Sequence, residues 1–213
     1  LPLMQSNGAQ VISPDGKKVS GYINSPEAIE AIRFYGDLFN RWKVSPQKPI
    51  PDAFGTKQAA LFLANTPWVN ILKTRFQDVR FGVPHPYFKK PVTPTGAWHI
   101  GVFKKTRYPK EAAELAKAFA SKELADTVFK TMNYMPVRKS TYEKFADDFK
   151  RPPFNLFLWE LEHTAIRRPA TPAYREYEDI LRTALRNVME GGDPKTELDA
   201  AAEKIDRELA KYK

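Results

Sequence analysis

Residues 24–42 read NSPEAIEAIRFYGDLFNRW. Ser25 offers a side-chain oxygen to the free amides of a helix start, and Pro26 occupies the first helical position, where its missing N–H is not needed. Ala28, Ile29, Ile32, Tyr35, Leu38, Phe39 and Trp42 then recur at intervals of three and four. That spacing predicts one apolar stripe on a helix of about four to five turns, with Trp42 packed in the core. Pro46, Pro49 and Pro51 end the helix in an extended loop. On the amino side, Gln10-Val11-Ile12 and Lys18 to Ile23 flank Ser13-Pro14-Asp15-Gly16, a pattern that predicts a hairpin.

Further along, strand-like and helix-like patterns continue to alternate. Ala59 to Ala64 is an apolar run whose period does not distinguish a buried strand from a helix end. Asn65-Thr66-Pro67-Trp68 reads as a turn, and Arg80 to Val83 as a strand stopped by Pro84. Residues 84–96 hold Pro84, Pro86, Pro91 and Pro94, an irregular connection suited to a crossover between lobes. Trp98 to Phe103 reads as the next strand. Pro109 opens a helix with Ala112, Ala113, Ala116 and Phe119 on one face, and a second follows Ser121 with Leu124, Val128 and Phe129 inward. Met135-Pro136-Val137 breaks it, and Ser140 with Glu143 matches a capping box for another helix. Tyr174, Tyr177, Leu181, Ala184, Leu185 and Val188 line a helix that Gly191-Gly192 terminates. Asp193-Pro194 caps a last helix with Leu198, Ala201, Ala202, Ile205, Leu209 and Tyr212 on one face. Helices alternating with short strands indicate the α/β class.

Composition narrows the function. The 213 residues suffice for a full core, and 42% hydrophobic with 28% charged residues is ordinary for a folded globular chain. No apolar stretch reaches the ~20 residues of a membrane-spanning helix. The absence of Cys removes disulfides, thiol catalysis and Cys-based zinc sites. The net charge of +9 resolves into +4 over residues 1–84, +7 over 85–140 and −2 over 141–213. Its excess is scattered Lys rather than a stripe, which makes nucleic acid the weaker reading. With Leu1 at its start and no signal-like pattern, the chain reads as a processed or trimmed segment.

Catalytic constellations find no support. His85, His99 and His163 lie far apart, and the Glu160–His163 spacing lacks further ligands, so no metal or other cofactor is implied. Phosphate-cradling glycine loops and G-x-S-x-G elbows are absent. The carboxylate groups Asp147-Asp148 and Glu176, Glu178, Asp179 sit in polar segments and read as solvated helix faces. No enzyme is expected. Trp68 and Trp98 each follow a turn-like or small-residue element, and an indole there can present an apolar face to sugar C–H surfaces at a cleft mouth; core packing accounts for them equally well.

Four stretches carry a resemblance. Asn24-Ser25-Pro26-Glu27-Ala28-Ile29-Glu30-Ala31 resembles "sPeaieAl", and Lys57-Gln58-Ala59-Ala60-Leu61 through Pro67-Trp68 resembles "GkaAM…gpW". Gly96-Ala97-Trp98 through Ile100 with Pro109 to Ala113 resembles "ggw…I…npeaA". Met135 to Ser140, Arg168-Pro169 and Leu185 through Ile205 resemble "lPvrks", "rP" and "al..vl.G.dp…ld.aa.ki". Their order resembles the C-terminal half of a family 1 extracellular solute-binding protein, the receptor of carbohydrate ABC importers. The sequence departs from that pattern at Lys57 and Thr66 in place of glycines, Leu61 in place of methionine and Ala97 in place of a second glycine.

The resemblance implies a periplasmic-binding-protein-like fold of type II, present as a partial chain. Residues 1–84 and 141–213 would then belong to the C-terminal lobe, and 85–140 would return to the N-terminal lobe. It implies capture of a sugar or oligosaccharide between two lobes by hinge closure and delivery to a membrane-embedded permease. The missing N-terminal half of the same protein would be a partner, and the protein would be exported, periplasmic or lipid-anchored outside the cell membrane. Carried over by position, Trp68 is the first stacking residue and Trp98 the second. Asn65 and Thr66 supply hydrogen bonds, and Tyr177 and Glu178 fall in the helix region that holds further cleft residues, although Tyr177 also fits the core stripe. The alternatives are an anionic solute such as a sugar phosphate, or a basic nucleic-acid-binding module.

Overall fold

In the computed structural model, which describes residues 1–83 and 87–212, the helix start at Ser25 forms as its chemistry predicts: the Ala28 amide donates to Ser25 Oγ at 3.3 Å. The elements in chain order are α1 (Pro2–Ser6), α2 (Pro26–Asn40), α3 (Trp68–Arg75), β1 (Thr93–Thr95), α4 (Pro109–Phe119), α5 (Lys122–Met132), α6 (Lys139–Lys144), α7 (Ala146–Phe149), α8 (Phe154–His163), β2 (Ala165–Arg167), α9 (Tyr174–Met189) and α10 (Pro194–Ala210). The readings that involve Pro84, His85 and Pro86 lie outside the described residues.

The chain divides into two compact units. One comprises Leu1–Ile50, His85–Gly96 and Thr164–Lys213, the other Pro51–Pro84 and Ala97–His163. Of these divisions only the one after Pro84 coincides with a boundary in the sequence-level segmentation, which concerns lobes of a larger protein.

The first unit is built on α2, α9 and α10. Ala28, Ala31 and Ile32 of α2, Tyr177, Leu181, Ala184 and Val188 of α9, and Leu198, Ala201, Ala202, Ile205 and Leu209 of α10 form its core. Small residues let the helices approach closely: a Cβ on Gly36 would lie 2.8 Å from Val188 Cγ1. At the end of α9, Gly191 takes φ +106° and Gly192 N–H donates to Asn187 O at 2.8 Å; Asp193 then accepts from the Thr196 amide at 2.9 Å to start α10. Among the described residues the sheet is one parallel pair, with Thr93 opposite Ala165, Pro94 opposite Ile166 and Thr95 opposite Arg167. Strand structure at 93–95 thus interrupts the expected irregular connection.

The expected hairpin at 10–23 does not form strands. The turn itself is present, with Gly16 N–H donating to Ser13 O at 2.9 Å and φ +71° at Gly16. Its flanks are pinned by the helices instead of a ladder. Val11, Val19 and Ile23 are buried, Asp206 of α10 accepts from the Val19 amide at 2.6 Å, and Tyr177 donates its hydroxyl to Val11 O at 3.0 Å. Trp42 is likewise corrected. Helix α2 stops at Asn40, leaving the indole 44% exposed with its edge against Phe34, 5.4 Å between centroids.

The second unit holds α3 to α8 around Val69, Phe129, Phe149 and Phe154. Phe129 stacks on Phe149 at 4.7 Å and meets Phe154 edge-on at 5.3 Å. The helix expected after Ser121 forms, Ser121 Oγ accepting from the Leu124 amide at 3.1 Å, and Asn133 ends it in the left-handed region at φ +58°. Helix α6 begins at Lys139 with no side-chain cap, so the capping box at Ser140 and Glu143 is not formed. Residues 59–64, 80–83 and 98–103 are neither helix nor strand. A strand is stable only with neighbours to take its backbone hydrogen bonds, and these segments have none among the described residues.

One polar cluster in this unit runs from its interior to the surface. Thr141, fully buried, donates to Asp126 Oδ1 at 2.7 Å, and Lys144 Nζ lies 2.6 Å from Asp126 Oδ2. The Lys144 bond, then the Thr141 bond, hold the Asp126 carboxyl below its usual range. A lowered folded-state value means that this stabilisation is complete above the unfolded value of about 4 and is lost as pH falls through the folded value. Thermal unfolding from roughly pH 7 down to pH 2.5 is expected to show Asp126→Asn melting below the native protein at neutral pH, the gap closing at the acid end. A gap independent of pH would rule out the ion pair as its source.

Candidate functional site

Helix α3 positions the first candidate. The Trp68 amide donates to Asn65 O at 3.1 Å and the Val69 amide to Thr66 O at 3.1 Å, so Asn65-Thr66-Pro67 is a tight turn running directly into the helix. Val69 and Leu72 anchor the helix by burial, which leaves Trp68 half-buried at its first position. The indole is held by Phe62, whose ring meets it edge-on at 4.7 Å and 79°. Phe62 in turn lies 6.1 Å from Phe54 at 23° between ring planes. Such edge-to-face pairs contribute about 0.5–1.5 kcal/mol beyond burial and fix ring orientation. The structure therefore brings Asn65 (exposed), Thr66 (half-buried) and Trp68 together on one turn, beside an aromatic wall.

Phe54 and Phe62 were not anticipated. The only sequence signal for Phe62 was its place in a non-periodic apolar run. Trp98 stands apart: it is 86% exposed outside any helix or strand, and its ring does not pair with that of Trp68.

The other two candidates lie in the first unit and separate from each other. Tyr177 is fully buried and its hydroxyl is taken by Val11 O, and burial pushes its phenol pKa strongly upward. It is a core residue and not a surface one, as its place on the α9 stripe allowed. Glu178, the next residue on α9, is half-buried, with Arg182 Nη2 at 3.9 Å.

Among the described residues, the remaining polar candidates pair locally with their neighbours or face solvent. His163 Nδ1 lies 2.9 Å from the Trp159 carbonyl and its ring stacks on that indole at 5.0 Å, while His99 is exposed. Among the described residues no three His, Asp or Glu side chains cluster for a metal. Asp147 and Asp148 pair with Lys150 at 2.9 Å and Lys130 at 3.1 Å on the surface.

A turn-held indole with an aromatic wall and adjacent polar groups is the chemistry of a small-molecule binding surface. The bacterial extracellular solute-binding protein family matches residues 3–154. The chain belongs to that family. It is 23% identical over 199 residues to a probable ABC transporter-binding protein of Deinococcus radiodurans, an alignment covering 85% of this chain and 46% of the relative. Its fold is similar to that of an ABC transporter solute-binding protein from Thermotoga lettingae bound with α-D-tagatose, with a TM-score of 0.88, 21% identity, and coverage of 98% of this chain and 55% of that one. Maltose-bound MalE3 of T. maritima aligns with a TM-score of 0.75 and 25% identity over 100% of this chain and 56% of that one. The α/β fold expected from the resemblance is thus observed, and the chain spans about half the length of these relatives.

Proposed function

We propose that this solute-binding chain is part of the receptor of an ABC importer that captures a sugar or oligosaccharide and delivers it to a membrane-embedded permease. The observation that carries the reading is the half-buried Trp68 indole, held on the Asn65-Thr66-Pro67 turn and backed by Phe62. An indole so placed offers a rigid apolar face to a sugar ring, with Asn65 and Thr66 beside it for hydroxyls. The sugars bound by the Thermotoga proteins support the same class of ligand.

On this reading the protein works outside the cell membrane, in the periplasm or tethered by lipid, and is not an enzyme. Capture occurs between two lobes that close about a hinge. Residues 1–84 and 141–213 belong to one lobe and 85–140 return to the other, which the preceding half of the same protein completes. The apolar side chains of Trp98, Ile100 and Phe103, all exposed, support that completion, because apolar side chains left in water invite cover by another segment. No observation favours the nucleic-acid reading.

A thermal-shift screen of neutral and acidic sugars on the complete receptor tests the proposal. A true ligand at about 100 times its Kd adds about 2.7 kcal/mol to stability and raises the melting temperature by several degrees. Absence of any shift across mono- and oligosaccharides would overturn it.

A further inference from the structure

Residues 103–110 read FKKTRYPK, with four cations and no carboxylate. They fall in residues 85–140, where the positive charge of the chain is concentrated and where sugar capture gives it no role. The structure gathers them around one turn. The Thr106 amide donates to the Phe103 carbonyl at 3.0 Å, which puts Lys104 and Lys105 at the tip. The Tyr108 amide donates to Thr106 Oγ1 at 3.2 Å, and Pro109 opens α4 directly after it.

Lys104, Lys105, Arg107 and Lys110 are all exposed, and none has an ion pair among the described residues. Tyr108, between them, is 67% exposed. Of the two carboxylates that follow on α4, Glu114 is held by Lys117 at 2.7 Å, which leaves Glu111 to offset four cations. Like charges this close in the chain repel one another, and Lys110 stands in the first turn of α4, where a cation opposes the helix dipole. The arrangement is electrostatically unfavourable within the described chain. An extended negative surface reverses its sign.

Resting on the receptor reading above, which places the protein beside the outer face of a membrane, we propose that the 103–110 turn is a docking surface for a bilayer bearing anionic phospholipid headgroups. Lys104 and Lys105 supply point charges at the tip, and the planar fork of Arg107 matches a phosphate group bidentately. The amphipathic ring of Tyr108 suits the boundary between headgroups and hydrocarbon. Four unpaired cations are costly to bury, so the turn stays in water when the preceding half covers the neighbouring apolar side chains. A reversible, salt-sensitive hold of this kind keeps the receptor near the membrane surface without inserting it.

The test is co-sedimentation of the complete receptor, prepared without any lipid tether, with two kinds of vesicle: pure phosphatidylcholine, and phosphatidylcholine with about 30% phosphatidylglycerol. Binding to the anionic vesicles is expected at about 50 mM salt, with release at about 500 mM and no binding to the neutral ones. Each basic residue near such a surface multiplies binding about fivefold. Lys104→Gln combined with Lys105→Gln is therefore expected to weaken it about 25-fold, with melting temperature and sugar affinity unchanged. Lys17→Gln combined with Lys18→Gln removes the same charge from an exposed pair in the first unit, and is expected to leave vesicle binding near the native level. Equal losses in the two double variants would make net charge the cause and overturn the assignment. So would binding to neutral vesicles, no binding to anionic ones, or single-stranded DNA held more tightly than the anionic vesicles. A receptor that binds sugars but no vesicles overturns this proposal and leaves the receptor reading standing. Vesicle binding without any sugar binding leaves the surface assigned and overturns the receptor reading.

Discussion

Trp68→Ala is expected to lower sugar affinity of the complete receptor by roughly a hundredfold and to abolish the ligand-induced change in tryptophan fluorescence. Tryptophans at the centre of a binding surface contribute about 2–3 kcal/mol when truncated, and a hundredfold in Kd corresponds to about 2.7 kcal/mol. The indole is suited to that share because its orientation is set before ligand arrives, by the Asn65–Trp68 turn on one side and the Phe62 ring edge on the other. A preset ring gives up little conformational freedom on binding. The same substitution deletes the contact with Phe62, a stability loss of about 1 kcal/mol. Melting temperature therefore has to be measured alongside affinity. Trp68→Phe, which keeps a flat ring, is expected to retain part of the binding, and Trp98→Ala to preserve most of it. Unchanged affinity in Trp68→Ala would end the assignment of Trp68 to the site.

The second large effect is on stability. Tyr177→Ala is expected to destabilise the first unit by about 4 kcal/mol, the range for an aromatic removed from a closed core. Tyr177 is fully buried among the α2, α9 and α10 side chains, and its hydroxyl satisfies the Val11 carbonyl at 3.0 Å. Tyr177→Phe isolates the second contribution: it leaves that carbonyl without its donor and is expected to cost about 1–2 kcal/mol. Chemical denaturation of the native protein and both variants checks the values. In contrast with Trp68, Tyr177→Phe is expected to leave sugar affinity unchanged. A tenfold affinity loss without a stability loss would return Tyr177 to the binding surface.

The helices were legible because their signals are local. Ser25 and Asp193 cap the helices they were expected to cap, and the stripes of α9 and of α10 as far as Leu209 face the core as their spacing requires, while Tyr212 lies beyond the end of α10 and is exposed. The strand patterns at 80–83 and 98–103 were misleading for the opposite reason: alternation or apolar content describes what a strand looks like, while its existence depends on a partner elsewhere in the chain. The hairpin illustrates the competition directly. Its turn formed, yet the Val19 amide went to Asp206, 187 residues away, instead of to a neighbouring strand.

The candidate site was legible in part on the same principle. Asn65, Thr66 and Trp68 are contiguous, so one turn brings them together. Phe54 and Phe62 reach Trp68 only through folding of an irregular segment, and no periodicity announces them. On α9, Tyr174 and Tyr177 occupy the same predicted stripe. A stripe has a centre and a margin, and the packing of α2 and α10 places Tyr177 in the centre and Tyr174 half-buried at the margin.

By itself, then, the sequence determined helix ends, helix faces, the turn before Trp68 and the exclusion of thiol chemistry, since each depends on residues within a few positions or on composition alone. Tertiary structure decided which strand-like segments became strands, which tyrosine is core, and which rings surround the candidate site. Those outcomes turn on hydrogen-bond partners and packing neighbours far apart in the chain, whose identity no local spacing encodes.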